Sequence, residues 1–363
     1  MGEYSCKCLR YNDKDKNEAN FEENNNAYIN TNSYRNEKTN RNYNTLDISY
    51  CGSETDKSFY YGIQKIGEIT NNSFMEIINP NILNLKNSLP PLKITPKLNL
   101  INFSSNHKKY LKSSIKLFNE DLFYQGEWSK NYKMNGKGLM YIIQREILLE
   151  GLFQNNNFIF GRIYYPDLTY YEGDIKNSRK NGKGKIIFND KCIYEGNFKD
   201  DLFDGEGTIN WNNGDYYIGC FNYGKLNGKG NFKFNNGNSY EGYFKNNNFE
   251  GNGIFIWKNE KKFIGSYHNN KKNGKGIFYS NNENIIINGN WINGNINGES
   301  KIEYFNKNYH AVWDDGNLLK IYKIDSKNKI VNMEDEDLTK IPHIYIENEN
   351  FFPNNFPHLN GKF

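Results

Sequence analysis

The chain has 363 residues, of which 37% are hydrophobic, 16% aromatic and 24% charged, with a formal net charge of +4. The hydrophobic share falls below the ~45–50% on which packed globular cores draw, while 32 Gly, 28 Tyr and 25 Phe stand against only 8 Pro. This balance excludes several thick two-layer domains and favours thin, turn-rich β structure. So small a charge does not point to a nucleic-acid partner.

Residues 1–118 are dominated by Asn, Lys and Ser, as in Asn24-Asn25-Asn26. Such a composition buries too little surface to offset ordering entropy, so most of this region is expected to be disordered. The chain starts Met1-Gly2-Glu3-Tyr4-Ser5-Cys6-Lys7-Cys8. Gly2 is a candidate for myristate, although Cys6 stands where the usual acceptor pattern has Ser or Thr, and Cys6 and Cys8 are candidates for palmitate. Two lipid signals anchor a protein stably where one does so only marginally. The competing reading is an ordinary Met-Gly start with two unrelated cysteines. No apolar run reaches membrane-span length and no secretory leader is present, which makes a reducing, intracellular setting the default. Within this region Phe74 to Lys86, with Ile77, Ile78, Ile82, Leu83 and Leu85, reads as a short docking segment or a sticky linker, ended by Leu89-Pro90-Pro91-Leu92.

Residues 119–316 are repetitive. Units start at Tyr124, Leu149, Tyr171, Tyr194, Tyr217, Tyr240, Phe263 and Ile287, at spacings of 22 to 25 residues. Self-similarity at one period over this distance defines a repeat architecture. The unit from Tyr240 reads Tyr-Glu-Gly-Tyr-Phe-Lys, a polar turn over Asn246–Glu250, then Gly251-Asn252-Gly253-Ile254-Phe255-Ile256-Trp257. Both runs alternate with period two, the mark of strands with two different faces. Tyr240, Gly242 and Phe244 share one face with Gly251, Gly253, Phe255 and Trp257. Glycines leave gaps that rings from neighbouring strands can cover, so Gly and aromatic residues form one packing device. About eight hairpins give sixteen antiparallel strands and a twisted ladder roughly 75 Å long. Its aromatic face must curl on itself, take a terminal segment, meet a second chain or hold a ligand.

The Y-E-G-x-[FW] run followed by G-x-G at a 23-residue step resembles the MORN (membrane occupation and recognition nexus) repeat, with Tyr171-Glu172-Gly173, Tyr194-Glu195-Gly196 and Tyr240-Glu241-Gly242 matching closely. The repeat-defining positions are Tyr124, Gly126, Tyr171, Gly173, Tyr194, Gly196, Tyr217, Gly219, Tyr240, Gly242, Gly265 and Gly289. The second unit keeps only Gly161 of its paired glycines, and a ninth remnant is visible at Tyr309-His310-Ala311-Val312-Trp313. Weak end units are what capping repeats look like. The resemblance implies an all-β, elongated single-layer antiparallel β-meander, used in membrane-associated, cortical and cytoskeletal scaffolds, often as homodimers.

Odd and even units differ at the expected turn. Odd units carry Lys137, Lys183, Lys229 and Lys275; even units are apolar and mostly neutral or acidic there, the second carrying Arg162. If these turns share one edge of the ladder, the basic ones recur about 19 Å apart. Such a striped edge suits a complementary protein edge or anionic head groups, whereas simple duplication of a two-unit block accounts for it without function.

Residues 317–363 form a tail with an acidic knot, Glu334-Asp335-Glu336-Asp337. No phosphate loop, nucleophile elbow or zinc pair occurs, and the five histidines have no ligand-like spacing. Cys192 and Cys220 read as small packing residues. The expectation is a non-enzymatic scaffold without cofactor or metal. It would tether a membrane to cortical or cytoskeletal proteins and sit in the cytoplasm at a membrane periphery. The alternatives are a direct anionic-phospholipid module and an accessory subunit of an enzyme or axonemal assembly.

Overall fold

The computed structural model describes residues 71–94, 110–117, 122–129, 131, 133–325 and 329–331. The period-two runs become one twenty-stranded sheet. It begins with β1 (Tyr110–Leu117). Nine hairpins follow. The first four pair β2 (Leu122–Trp128) with β3 (Met134–Ile142), β4 (Ile147–Gln154) with β5 (Asn157–Tyr164), β6 (Tyr170–Lys176) with β7 (Arg179–Ile187), and β8 (Ile193–Lys199) with β9 (Leu202–Asn210). The next three are β10 (Tyr216–Asn222) with β11 (Lys225–Lys233), β12 (Ser239–Lys245) with β13 (Asn248–Ile256), and β14 (Lys262–His268) with β15 (Lys271–Ser280). The last two are β16 (Ile285–Ile292) with β17 (Asn295–Tyr304) and β18 (Lys307–Asp314) with β19 (Asn317–Ile324), followed by β20 (Ile330–Val331). Each strand pairs antiparallel with the one before and the one after it, and β1 does not pair with β20, so the sheet is an open meander. Twenty strands extend it to about 90 Å. The remnant unit at Tyr309 is a full hairpin, β18–β19. Ordered structure also extends beyond 119–316 on both sides, since β1, β19 and β20 join the sheet and α1 (Asn71–Ile77) and α2 (Pro80–Ser88) precede it.

The hairpin turns are shorter than expected. The polar stretch Asn246–Glu250 is a turn of only two residues, Asn246-Asn247, and β13 already begins at Asn248. Both turn residues have positive φ, 51° and 72°, as a type I′ turn requires and as Asn, Asp and Gly tolerate. Asn155-Asn156, Asp200-Asp201 and Asn269-Asn270 repeat this. The residues that looked like turn instead form a bulge. In the β12–β13 pair Gly242 opposes Gly253 and Tyr243 opposes Glu250, so Gly251 and Asn252 are extra. Gly251 has φ +65°, open to glycine at little cost.

The turn edge is stitched by asparagine. Leu226 donates its N–H to Asn247 Oδ1 at 2.7 Å and accepts the Asn247 N–H at 3.0 Å. Asn156 with Met134, Asp201 with Lys180 and Asn270 with Phe249 make the same reciprocal pair. Gly224, Gly294 and Gly316 keep only the backbone half. The opposite edge has its own stitches, as where Asn235 N–H donates to Asp215 Oδ1 at 2.8 Å. Each stitch joins adjacent units, which explains why a repeat scaffold uses so much Asn. Asn247→Gly is expected to cost about 1 kcal/mol and to speed amide exchange at Leu226, because one hydrogen bond is lost. Asn247→Ala should cost more, because Ala also strains at positive φ. Equal stability of the two variants by denaturant titration would contradict this.

Candidate interaction surfaces

The repeat-defining residues build the inner face. The rings of Tyr124, Tyr171, Tyr194, Tyr217 and Tyr240 are fully buried. Each lies over a glycine pair facing across the hairpin: Gly126 with Gly138, Gly173 with Gly184, Gly196 with Gly207, Gly219 with Gly230, and Gly242 with Gly253. A Cβ at Gly207 would sit 2.5 Å from the Tyr194 hydroxyl. The hydroxyl then donates to the carbonyl three residues on, as Tyr194 does to Asn197 at 2.7 Å and Tyr171 to Asp174 at 2.8 Å. Burial pushes these phenols well above their usual range. Tyr194 stacks on Phe203 at 3.6 Å and meets Phe198 and Phe221 edge-on at 5.1 Å. Phe263 replaces the tyrosine over Gly265 and Gly276. In the second unit, which keeps only Gly161 of the G-x-G, Gly151 still opposes Gly161 across the hairpin beneath Phe158. In the eighth, Gly289 faces Gly276 of the preceding hairpin but no glycine within its own, where it lies against Ser300 and Ile296. One continuous buried cluster runs from Tyr124 to Ile321. Of the four fates open to the aromatic face, the rings covering one another is the one observed. These positions are structural.

The odd–even alternation also runs through this face. Even hairpins place Phe158, Phe203 and Phe249 where odd ones place Met134, Lys180, Leu226 and Lys272. Lys180 is buried, 3.4 Å from Asp201 and 3.5 Å from the Tyr165 hydroxyl. Lys272 lies over the Trp257 and Phe263 rings at 5.1 and 5.5 Å.

Lys137, Lys183, Lys229 and Lys275 do not lie on turns at an edge. They stand within β3, β7, β11 and β15, exposed on the outer face. The bulge explains the difference, since it lengthens each second strand past the glycine pair. Their period of four strands, about 19 Å, survives as a stripe across that face. Beside it runs a second row, built by direct cross-strand partners: Glu150, Arg162, Glu172, Lys185 and Glu195. Arg162 bonds Glu172 at 2.6 Å and Lys185 lies 3.4 Å from Glu195. The latter pair is exposed and contributes little. Glu172 and Glu195 are thus cross-strand charge partners within the repeat.

The segment around Phe74 docks on this outer face. Phe74, Ile78 and Ile82, from α1, α2 and the residues between, pack on Phe123, Leu139, Tyr141, Leu148 and Tyr164, with Leu83, Leu85 and Leu89 beside them. Ile82 and Leu85 of α2 turn toward the sheet, flanked by Ile78 before the N-cap Asn79 and by the extended C-cap Leu89. Asn79 caps α2 by accepting from the Asn81 N–H, with Pro80 at its first position. Polar contacts rim the patch: Lys86 to Glu150 at 3.3 Å, Arg162 Nη1 to the Pro90 carbonyl at 2.7 Å, and the Tyr164 hydroxyl to Glu150 at 2.7 Å. Sequence reasoning found this segment but not its seat. The signal was there in the outward apolar residues of the first units, Leu139, Tyr141, Leu148 and Tyr164.

Gly2, Cys6, Cys8 and the acidic knot lie outside the described residues. Cys192 is buried, and its thiol is pushed up to about 12 by burial and the neighbouring Asp190. Cys220 is buried as well. Among the described residues no cluster of His, Cys, Asp and Glu is placed to hold a metal, and no helix is long and apolar enough to cross a membrane.

A family model described as the MORN repeat matches residues 124–142, 171–193, 194–216, 217–239, 240–261 and 263–285. No curated relative matches the chain. Among solved structures, the chain is similar to the TCP domain of SAS-4 (dCPAP) of Drosophila melanogaster, in complex with a proline-rich motif of Ana2 (dSTIL). That match has 13% identity and a TM-score of 0.26, and covers 39% of this chain and 76% of the other. It is also similar to the G-box domain of the microcephaly protein CPAP at 11% identity and a TM-score of 0.17, covering 59% of this chain and 92% of the other. At those scores neither carries an argument about partners.

Proposed function

Because this chain is a MORN-repeat protein, we propose that it is a non-catalytic scaffold linking a membrane to cortical or cytoskeletal protein partners. MORN repeats are consistent with either a repeat scaffold or a membrane-binding module. One observation favours the scaffold. The inner face is filled by its own rings and both long edges are stitched, which leaves the outer face as the surface on display. That face presents side chains in straight rows at a fixed period on a long ladder, which suits a partner that is itself extended. The membrane link rests on Gly2, Cys6 and Cys8 as acyl sites.

A second reading, direct contact with anionic phospholipid, draws on Lys137, Lys183, Lys229 and Lys275 sharing one exposed row. Membrane partitioning in the native cell separates the two. The acylated scaffold predicts that intact protein pellets with membranes, that Gly2→Ala becomes soluble, and that changing all four lysines to Glu leaves pelleting intact. Loss of pelleting in the four-lysine variant alone would instead establish the lipid-binding module.

A further inference from the structure

The two rows of the outer face that carry the α1–α2 seat rise to a second apolar patch farther along the sheet. In the first row Ile254 opposes Ile264, which opposes Ile277. In the second, Ile256 opposes Lys262, Lys262 opposes Tyr279, and Tyr279 opposes Ile286. All alternate with the buried inner residues Phe255, Phe263, Phe278 and Ile287, so all face outward. Ile256 is 41% exposed, and Ile254, Ile264, Ile277, Tyr279 and Ile286 are half-buried. In the first row these three hairpins thus carry isoleucine where the middle hairpins carry Glu172, Lys185 and Glu195, while the second row is apolar in the middle too, at Tyr170, Ile187 and Ile193. Packing inside the sheet does not require the isoleucines of the first row, since its charged middle stretch forms the same ladder.

The first patch shows what such a surface accepts: a short helical segment that turns Phe74, Ile78, Ile82 and Leu85 onto the sheet. The two rims differ in charge. Glu146, Glu150 and Glu172 outnumber Arg162 around the first patch, and its segment brings Lys86 to Glu150 at 3.3 Å. Around the second, Lys233, Lys262, Lys275 and Lys301 outnumber Glu241 and Glu303, with Lys262 held 4.7 Å over the Tyr279 ring. A second copy of the α1–α2 segment, which carries Lys86, therefore suits this rim poorly. We propose that Ile254, Ile256, Ile264, Ile277, Tyr279 and Ile286 form a docking site for an acidic amphipathic helix of a partner protein. This deepens the scaffold reading by giving its partner a chemistry, and it rests on that reading.

The test uses the full chain and two labelled helical peptides. Both have Leu at i, i+4, i+7 and i+11, with Glu elsewhere in one and Lys elsewhere in the other. Fluorescence anisotropy is expected to show binding of the Glu peptide. Ile264→Asn with Ile277→Asn, both on the solvent side of the sheet, weakens it at least tenfold with an unchanged melting curve. Lys233→Glu with Lys262→Glu, which leaves the apolar residues in place, moves the preference from the Glu peptide to the Lys peptide. The proposal is overturned if neither peptide binds, or if the isoleucine variant binds as the wild type does. It is equally overturned if that variant instead abolishes a dimer in sedimentation or binding to phosphatidylserine vesicles, since the patch would then face a second copy or a membrane. None of these variants touches Gly2 or the four-lysine row, so failure here is separable from failure of the scaffold reading.

Discussion

Gly207→Ala is expected to destabilise the fourth hairpin by about 1–3 kcal/mol, the usual range for overpacking, and shortening Tyr194 is expected to relieve it. A Cβ at Gly207 would meet the Tyr194 hydroxyl, Cε2 and Cζ at 2.5, 2.6 and 2.7 Å, all side-chain atoms. Tyr194→Ala alone removes a fully buried ring stacked on Phe203 and should cost about 3–5 kcal/mol. In the double variant the new methyl fills part of the space the ring leaves, so the combined cost should fall short of the sum by about 1 kcal/mol or more. Gly196 supplies the control. Its Cβ would strike the Tyr194 hydroxyl at 2.6 Å but also the Gly207 Cα at 2.5 Å and the Glu206 carbonyl at 2.7 Å, both backbone, so removing the ring leaves the main clash in place and rescues it far less. Amide exchange within β8 and β9 is the right readout, because repeat arrays can open unit by unit. Equal coupling of Tyr194→Ala to both glycine variants would refute the ring-over-glycine account.

Ile82→Asp is expected to release the helical segment from the sheet while leaving the sheet folded. Ile82 is fully buried between the segment and the outer face. A carboxylate there has no partner, and burying it unpaired costs more than so small a patch supplies. Helices of 7 and 9 residues do not persist alone in water. Amides of 80–88 should lose protection, and Tyr141, Leu148 and Tyr164 should become accessible to an apolar dye. Strands from β8 onward should melt as before, since each contacts only its neighbours. Ile82→Val keeps the patch apolar and should stay docked at a cost of about 0.5–1.5 kcal/mol. Retained protection of 80–88 in the Asp variant would mean that other contacts, such as Arg162 to the Pro90 carbonyl, hold the segment.

The repeat period, the antiparallel hairpin and the assignment of Tyr194, Gly196 and Phe198 to a packing face were all legible in the sequence. These are local properties: side chains alternate with period two, and only glycine fits beneath a ring. The paired turn asparagines were visible as composition but not as stitches, because each bonds a residue some 20 positions away in the neighbouring unit, as Asn247 does Leu226. Reading Asn248 to Glu250 as turn failed for the same reason. Whether a residue is turn or strand depends on which partner it faces, and the bulge at Gly251 shifts that partner by two. The lysine stripe therefore kept its period but changed its place, from an edge to the outer face. The seat of the Phe74 segment was the least accessible feature. It depends on complementarity between residues 74–89 and a surface assembled from several strands between Phe123 and Tyr170. Only the tertiary structure could decide it, because no segment by itself carries that surface.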